Sequence, residues 1–90
     1  MKFRRIRNLR MSYEKQGQIF FTLANYKDQP ENVKKRIDAL LQAAAGGDRA
    51  YAFALRQWLI DGETLQQAAA SNYVREATLI EMRKKFYEKW

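Results

Sequence analysis

Apolar residues recur at spacings of three and four along most of this 90-residue chain, and no stretch shows the sustained alternation of a half-buried strand. The breaks between the periodic stretches coincide with the single proline, Pro30, and with Gly46-Gly47 and Asp61-Gly62. A chain of this length folds as one domain around one core. The sequence therefore predicts an all-α fold of about five helices, with three C-terminal helices packed on an N-terminal pair.

The first two helices are bounded by recognisable start and stop signals. Ser12 is a good N-cap for helix 1, which is predicted to run to about Tyr26. Pro30 suits the first position of helix 2, because its missing N–H is one that a helix leaves unbonded there. Gly46-Gly47 should end helix 2 in a left-handed conformation.

The remaining three helices follow in the same way. Asp48 is predicted to cap helix 3, and Thr64 to cap a short helix 4 over residues 65–71. A break at Ser71-Asn72-Tyr73 precedes helix 5, which is predicted to run from about Val74 to the end of the chain. Six aromatic residues mostly fall on the apolar stripes and are expected in the core: Phe20, Phe21, Tyr51, Trp58, Phe86 and Trp90.

Composition excludes several classes of chemistry. The chain has no cysteine and no histidine, which removes disulfides, thiolate nucleophiles, zinc sites of the Cys/His type and the commonest general base. Its carboxylates are scattered, and no glycine-rich phosphate loop or catalytic motif occurs. We therefore expect a protein that is not an enzyme, with no cofactor, metal or small-molecule substrate. No window is apolar enough to span a membrane or serve as a signal peptide, so a cytoplasmic location is expected.

The net charge of +7 is concentrated at the two ends of the chain. Residues 11–73 carry seven charges of each sign, whereas residues 74–90 carry five cations and three anions. Clustered Lys and Arg displace counterions from phosphates, so a polyanionic partner is the simplest interpretation. The alternative is that basic ends only keep a small protein soluble. The first ten residues contain no acid and five cations: Lys2, Arg4, Arg5, Arg7 and Arg10.

The segment LQQAAASNYVREATLIEMRKKF has the pattern of two helices joined by a tight turn. Ala69 supplies a small residue where the second helix would cross the first, and the turn has three residues. Val74, Leu79 and Met82 supply apolar contacts back to the first helix. Helix 3, with Trp58, would complete a three-helix core.

On these residues, 51–90 resemble the helix-turn-helix DNA-binding proteins, in the form found in region 4 of bacterial sigma factors and in small phage regulators. The whole chain, with MSYEKQGQIFFTLANYKDQPENV and RKKFYEKW, is also similar to small proteins of conjugative transposons and phage-like elements of Gram-positive bacteria. The resemblance implies a sequence-specific DNA-binding protein, either a transcriptional regulator or an accessory factor of a mobile element, with duplex DNA as its partner.

The resemblance also implies roles for individual side chains. Gln66 and Gln67 would contact the DNA backbone, and the N-terminus of helix 4 near Thr64 would offer N–H groups to a phosphate. For the run 83–85 the alternative is a solvated helix end, whose cations suit the C-terminal dipole. Phosphate contacts on helix 5 would come from Thr78, Arg83 and Lys85. The base-reading residues would be Arg75, Glu76, Ile80, Glu81 and Lys84.

The chain departs from the family pattern at three points. Tyr73 stands where the turn usually has glycine, so its backbone must avoid or tolerate a left-handed conformation. Arg75 stands where Ser or Thr commonly caps the recognition helix, which leaves that cap unassigned. Glu76 and Glu81 lie on the side expected to face DNA, where phosphates repel them, although a glutamate can accept a hydrogen bond from cytosine.

Residues 1–11 form a basic arm that is expected to be flexible, ahead of a single domain over 12–90. Three interpretations of the arm are open. It threads the minor groove of DNA, where arginine-rich arms bind well; it is a disordered tail; or Met11 is the natural start. The side chains available for groove contacts are Arg4, Arg5, Arg7 and Arg10.

Two further functions compete with DNA regulation. A helical adaptor could present Tyr87 and Trp90 to a protein partner encoded by the same element or host, such as RNA polymerase, a recombinase or a relaxase. RNA binding is permitted by the charge pattern, but no RNA-binding motif supports it. A homodimer would give a single module paired half-sites on DNA.

Overall fold

The computed structural model describes residues 3–90; Met1 and Lys2, which begin the predicted arm, lie outside the described residues. Within that range the chain is all-α and contains no strand, as predicted. A 3-10 turn at Tyr26–Asp28 separates the first two helices. The five helices are α1 (Tyr13–Ala24), α2 (Glu31–Ala44), α3 (Arg49–Leu59), α4 (Leu65–Asn72) and α5 (Glu76–Lys89).

Three predicted N-caps are confirmed. The hydroxyl of Ser12 accepts a hydrogen bond from the Lys15 N–H at 3.1 Å, and Asp48 accepts from the Tyr51 N–H at 3.2 Å. Thr64 makes a reciprocal capping box, because its hydroxyl accepts from the Gln67 N–H while the Gln67 side chain accepts from the Thr64 N–H, both at 3.1 Å. These contacts fix where α1, α3 and α4 begin.

The bounds of α2 differ slightly from the prediction at one end. Pro30 is the N-cap residue, with extended backbone, and the helix begins one residue later at Glu31. At the other end, Gly46 and Gly47 have φ values of 62° and 81°, and the Gly47 N–H bonds to the Gln42 carbonyl at 3.0 Å. Two left-handed residues end the helix in the predicted manner, since only glycine adopts this conformation without strain.

The core lies between the helices and is filled by large aliphatic and aromatic side chains. Helix α2 packs against α3 and α5, α1 packs against α3, and α3, α4 and α5 pack against one another. Small residues, Ala54 on α3 and Ala68 on α4, are among the fully buried positions of these two helices. The largest fully buried apolar side chains are Ile19, Leu23, Ile37, Leu55, Leu79 and Phe86.

The N-terminal arm is docked on the domain, where a flexible arm was expected. Ile6 and Leu9 are only 5% and 6% exposed. The side chain of Gln16, which is fully buried in α1, accepts a hydrogen bond from the Ile6 N–H at 2.8 Å and donates one to the Met11 carbonyl at 3.1 Å. Burial of two aliphatic side chains contributes about 3 to 5 kcal/mol before the entropy of ordering is subtracted. Residues 3–11 therefore belong to the fold.

None of the helices within residues 3–90 has the length and apolar character needed to cross a membrane.

Candidate nucleic-acid interface

Helices α4 and α5 are joined by a three-residue turn, residues 73–75, and both pack on α3. Four residues predicted to hold this unit together lie in the core or against it. Ala69 and Leu79 are buried, and Val74 and Met82 are half-buried against the core cluster. The turn lies two residues later than predicted, because α4 continues to Asn72 and α5 begins at Glu76 rather than Val74.

Tyr73 takes the left-handed conformation at this turn, with φ 56° and ψ 43°. Its side chain is 96% exposed, so no packing interaction holds the residue there. The Val74 N–H bonds to the Ala69 carbonyl at 3.0 Å, which satisfies a carbonyl at the end of α4. The turn therefore has the geometry that glycine usually supplies, at a cost of about 1 kcal/mol for a residue with a side chain.

The start of α5 is supported by a residue from another helix. Arg75 occupies the N-cap position and makes no capping hydrogen bond with its own side chain. The N–H of Arg75 instead donates to the hydroxyl of Tyr51 on α3, at 3.4 Å. This contact ties the N-terminal end of α5 to α3. The sequence contains no signal for it, because Tyr51 fits the apolar stripe equally well as a core residue.

The predicted base-reading residues are not equally accessible. Arg75, Glu76 and Glu81 are exposed, whereas Ile80 and Lys84 are half-buried. The ammonium of Lys84 pairs with the Glu81 carboxylate at 3.6 Å, which offsets one of the acidic charges on this face. Of the five predicted base-reading residues, the exposed ones are therefore Arg75 and Glu76 at the start of α5, with Glu81 further along the helix.

Arg83 lies in a different environment from the exposed flank expected for a phosphate contact. Its guanidinium carbon is 4.6 Å from the centroid of the Trp58 ring, and its Nε is buried with no hydrogen-bond partner among the described residues. Burial lowers the pKa of Arg83, because the surrounding side chains replace water around the charge. Arg83 thus serves mainly to pack α5 on α3.

The other predicted phosphate contacts remain at the surface. Lys85 is exposed and Thr78 is half-buried on α5. Gln66 and Gln67 are both exposed on α4, but the side chain of Gln67 is already engaged in the capping box with Thr64. Gln66 is therefore the freer of the two glutamines for a contact with a ligand.

The docked arm runs beside α5 and adds its arginines to that helix. One surface groove, called the arm groove below, is lined by five cations and no carboxylate. The sequence does not predict this juxtaposition, because the arm and α5 lie about 70 residues apart and no local pattern relates them. The residues that line the arm groove are Arg4, Arg5, Ile6, Arg7, Asn8, Ile80, Arg83 and Lys84.

The residues expected to present an adaptor surface are used inside the fold. Tyr87 is 3% exposed, and burial raises its pKa to about 12. The half-buried Trp90 ring has the Arg36 guanidinium 5.3 Å from its centroid, and the same guanidinium donates to the Trp90 carbonyl. Neither aromatic ring is presented freely to a partner.

An aromatic cluster that sequence reasoning missed lies on the outer side of α1. Phe3 of the arm packs on Tyr13 and Phe20, with ring centroids 5.1 and 5.4 Å apart, and Phe20 packs edge-on against Phe21 at 5.2 Å. Tyr13 is 55% exposed and Phe21 is 53% exposed. The prediction that Phe21 is a core residue is therefore wrong. We call these four residues the α1 aromatic cluster.

Comparisons of the chain with protein-family models, with curated proteins and with solved structures give no match. The resemblance to helix-turn-helix proteins therefore stays a prediction drawn from the residues. Within residues 3–90, no three or more side chains of the His, Cys, Asp and Glu types come together as a metal site would require.

Proposed function

We propose that this protein binds duplex DNA through α5 and the docked arm, as a sequence-specific regulator or accessory factor of a mobile element. The observation that carries the proposal is the arm groove, where arginines of residues 4–7 lie beside Lys84 with no carboxylate in the lining. The position of the arm groove beside α5 supports the proposal. Helix α5 is the second of two helices joined by a short turn, and helix-turn-helix proteins place that second helix in the major groove.

The electrostatics favour a phosphate backbone as the ligand. Each Lys or Arg that neutralises a DNA phosphate releases a counterion. This release strengthens binding, and its effect on affinity decreases as the salt concentration rises. In the arm groove these cations come from two segments that are distant in the sequence and are held together by the fold. A duplex could therefore meet several of them at once without first ordering a loose arm.

Base reading would fall mainly to the first turn of α5. Arg75 is exposed there and has the forked guanidinium that recognises guanine, while the exposed Glu76 can accept from cytosine. Glu81 is partly neutralised by Lys84, which lowers the repulsion expected between this face and the phosphates. We therefore expect Arg75 and Glu76, at the start of α5, to set the sequence preference.

The proposal is tested by fluorescence anisotropy with labelled duplexes over a range of salt concentrations. We expect salt-sensitive binding that is weakened by Lys84→Ala for all duplexes, and by Arg75→Ala mainly for the preferred sequence, by roughly five-fold or more. Lys35→Ala on α2 removes an exposed cation far along the chain from the arm groove and is the matched control. No detectable duplex binding at about 50 mM salt, where electrostatic association is strong, would contradict the proposal.

One observation favours a second function, a helical protein-interaction adaptor. The α1 aromatic cluster exposes Tyr13 and Phe21, and exposed apolar groups that cluster mark interaction surfaces. The partner would be a protein such as RNA polymerase, a recombinase or a relaxase. Replacement of Phe21 by Ser should abolish co-purification of that partner and leave duplex binding unchanged, which separates the two functions.

A further inference from the structure

The arm has two sides with opposite character. Ile6 and Leu9 turn into the core, while the residues between and around them are exposed, and all of these but Asn8 are basic. The stretch from Arg5 to Arg10 lines a surface concavity by itself, and no residue from another element contributes to that lining. We call it the arm loop. Three of its six residues are arginines: Arg5, Arg7 and Arg10.

Two hydrogen bonds made by one side chain fix the shape of the arm loop. Gln16 bonds to the Ile6 N–H at 2.8 Å and to the Met11 carbonyl at 3.1 Å, so one buried side chain holds the backbone at both ends. Asn8, at the turn between them, has a left-handed φ of 61°.

The arginines of the arm loop are available to a ligand. Among residues 3–90 the ion pairs are Lys34 with Glu31, Arg56 with Asp38 and Lys84 with Glu81, and none involves the loop. Guanidinium groups bind phosphate oxygens in pairs of parallel hydrogen bonds, which a carboxylate-free concavity leaves possible. The chemistry of the loop is therefore that of a phosphate site.

We propose that the arm loop is a preorganised phosphate-binding site and that Gln16 is the positioning residue that holds it in shape. The inference rests on the proposed function, in which the phosphate belongs to the DNA backbone. It also revises the mode of contact: with Ile6 and Leu9 buried, the arm lies against the domain and contacts the backbone instead of threading the minor groove. Arg5 and Arg7 line the arm groove as well, so the arm loop and the arm groove adjoin and share two arginines.

The test compares salt dependence among variants of the full chain, with a short fluorescein-labelled duplex as the probe. Arg7→Gln and Arg10→Gln each remove one phosphate contact, so the loss of affinity between 50 and 200 mM salt should shrink by roughly threefold. Lys35→Gln makes the same charge change on α2 and should leave that loss unchanged. Gln16→Leu keeps every charge, yet it should reduce the salt dependence as the arginine variants do, because it releases the loop.

A second measurement tests phosphate binding by the arm loop in the absence of DNA. In an NMR titration with inorganic phosphate, the amide signals of Asn8 and Leu9 should shift saturably in the wild type and not in Gln16→Leu. Circular dichroism checks that each variant is folded, and if Gln16→Leu does not fold, the two arginine variants decide the matter.

The outcomes separate the two proposals. Duplex binding whose salt dependence Arg7→Gln and Arg10→Gln leave equal to that of Lys35→Gln would overturn the phosphate loop while DNA binding stands. Saturable phosphate shifts in a chain that ignores duplex DNA would support the loop, with free phosphate as its ligand, and would remove the proposed function. Absence of both signals overturns both.

Discussion

The guanidinium of Arg83 lies over the indole ring of Trp58, with 4.6 Å between the guanidinium carbon and the ring centroid. The contact joins α5 to α3, and both residues line a cleft that also contains Arg4 and Tyr87. A cation held on an aromatic face and largely removed from water is a packing element, so the basic run at the end of α5 has two roles. Arg83 faces the domain, whereas Lys85 faces solvent.

We expect Arg83→Met to change the free energy of unfolding by less than about 1 kcal/mol. The variant loses a cation–π contact of about 1 kcal/mol. It also removes a buried Nε without a hydrogen-bond partner, which destabilises the wild type by a similar amount, so the two effects largely cancel. Trp58→Ala should cost at least about 2 kcal/mol, because it deletes the half-buried ring itself. Urea denaturation followed by circular dichroism measures both, and a larger loss for Arg83→Met than for Trp58→Ala would contradict this interpretation.

Removal of the arm should destabilise the domain. A chain that begins at Met11 loses the burial of Ile6 and Leu9 and leaves the Gln16 side chain without its partner at Ile6, so we expect a loss of about 2 to 4 kcal/mol. Ile6→Ala alone should cost about 2 kcal/mol. Arg5→Ala, at the exposed neighbouring position, is the control and should have little effect. Equal denaturation midpoints for the full and shortened chains would show that the arm contributes nothing to the fold.

Tyr73→Gly should stabilise the protein, although it removes a large side chain. Tyr73 is left-handed and almost fully exposed, so glycine relieves about 1 kcal/mol of backbone strain, offset in part by its greater entropy when unfolded. We expect a net gain of a few tenths of a kcal/mol. Ser71→Gly, two residues earlier in α4, should destabilise by about 0.5 kcal/mol instead, because the backbone there is helical. Thermal denaturation of the pair tests the opposite signs.

Stability should fall in strongly alkaline solution because of Tyr87. Burial raises its pKa to about 12, against 10 for a free tyrosine, so the folded chain keeps a proton that the unfolded chain releases. The contribution of this shift to the free energy of unfolding is complete below pH 10 and is lost as the pH rises from 10 to about 12, to a total of about 3 kcal/mol. Denaturation of wild type and Tyr87→Phe at several pH values measures it, and the difference between them should vary only within that window.

The starts of the helices could be predicted because they depend on neighbours in the sequence. Ser12, Asp48 and Thr64 cap their helices through N–H groups three residues away, and such contacts need no knowledge of the tertiary fold. The end of α2 was equally local, since Gly46-Gly47 supplies the left-handed residues by itself.

The arrangement of the candidate site depended on contacts that a local pattern does not contain. The spacing of Ile6 and Leu9 fits burial, but the arginines around them suggested a solvated arm. Docking required the buried Gln16 side chain, and a glutamine in a helix is usually exposed. The charge of Arg83 predicts an outward side chain, whereas its position on α5 brings it over Trp58.

The arm also shields part of the apolar surface of α1. Phe3 lies over Gly17, where an added Cβ would come within 3.6 Å of its ring, and it covers part of Phe20. If the arm lifts, the rings of α1 are bared to water and the positive charges beside them move away together. The arm then governs both the solubility of the protein and its affinity for polyanions. A variant that loses polyanion binding because its arm is released should therefore also aggregate at a lower protein concentration.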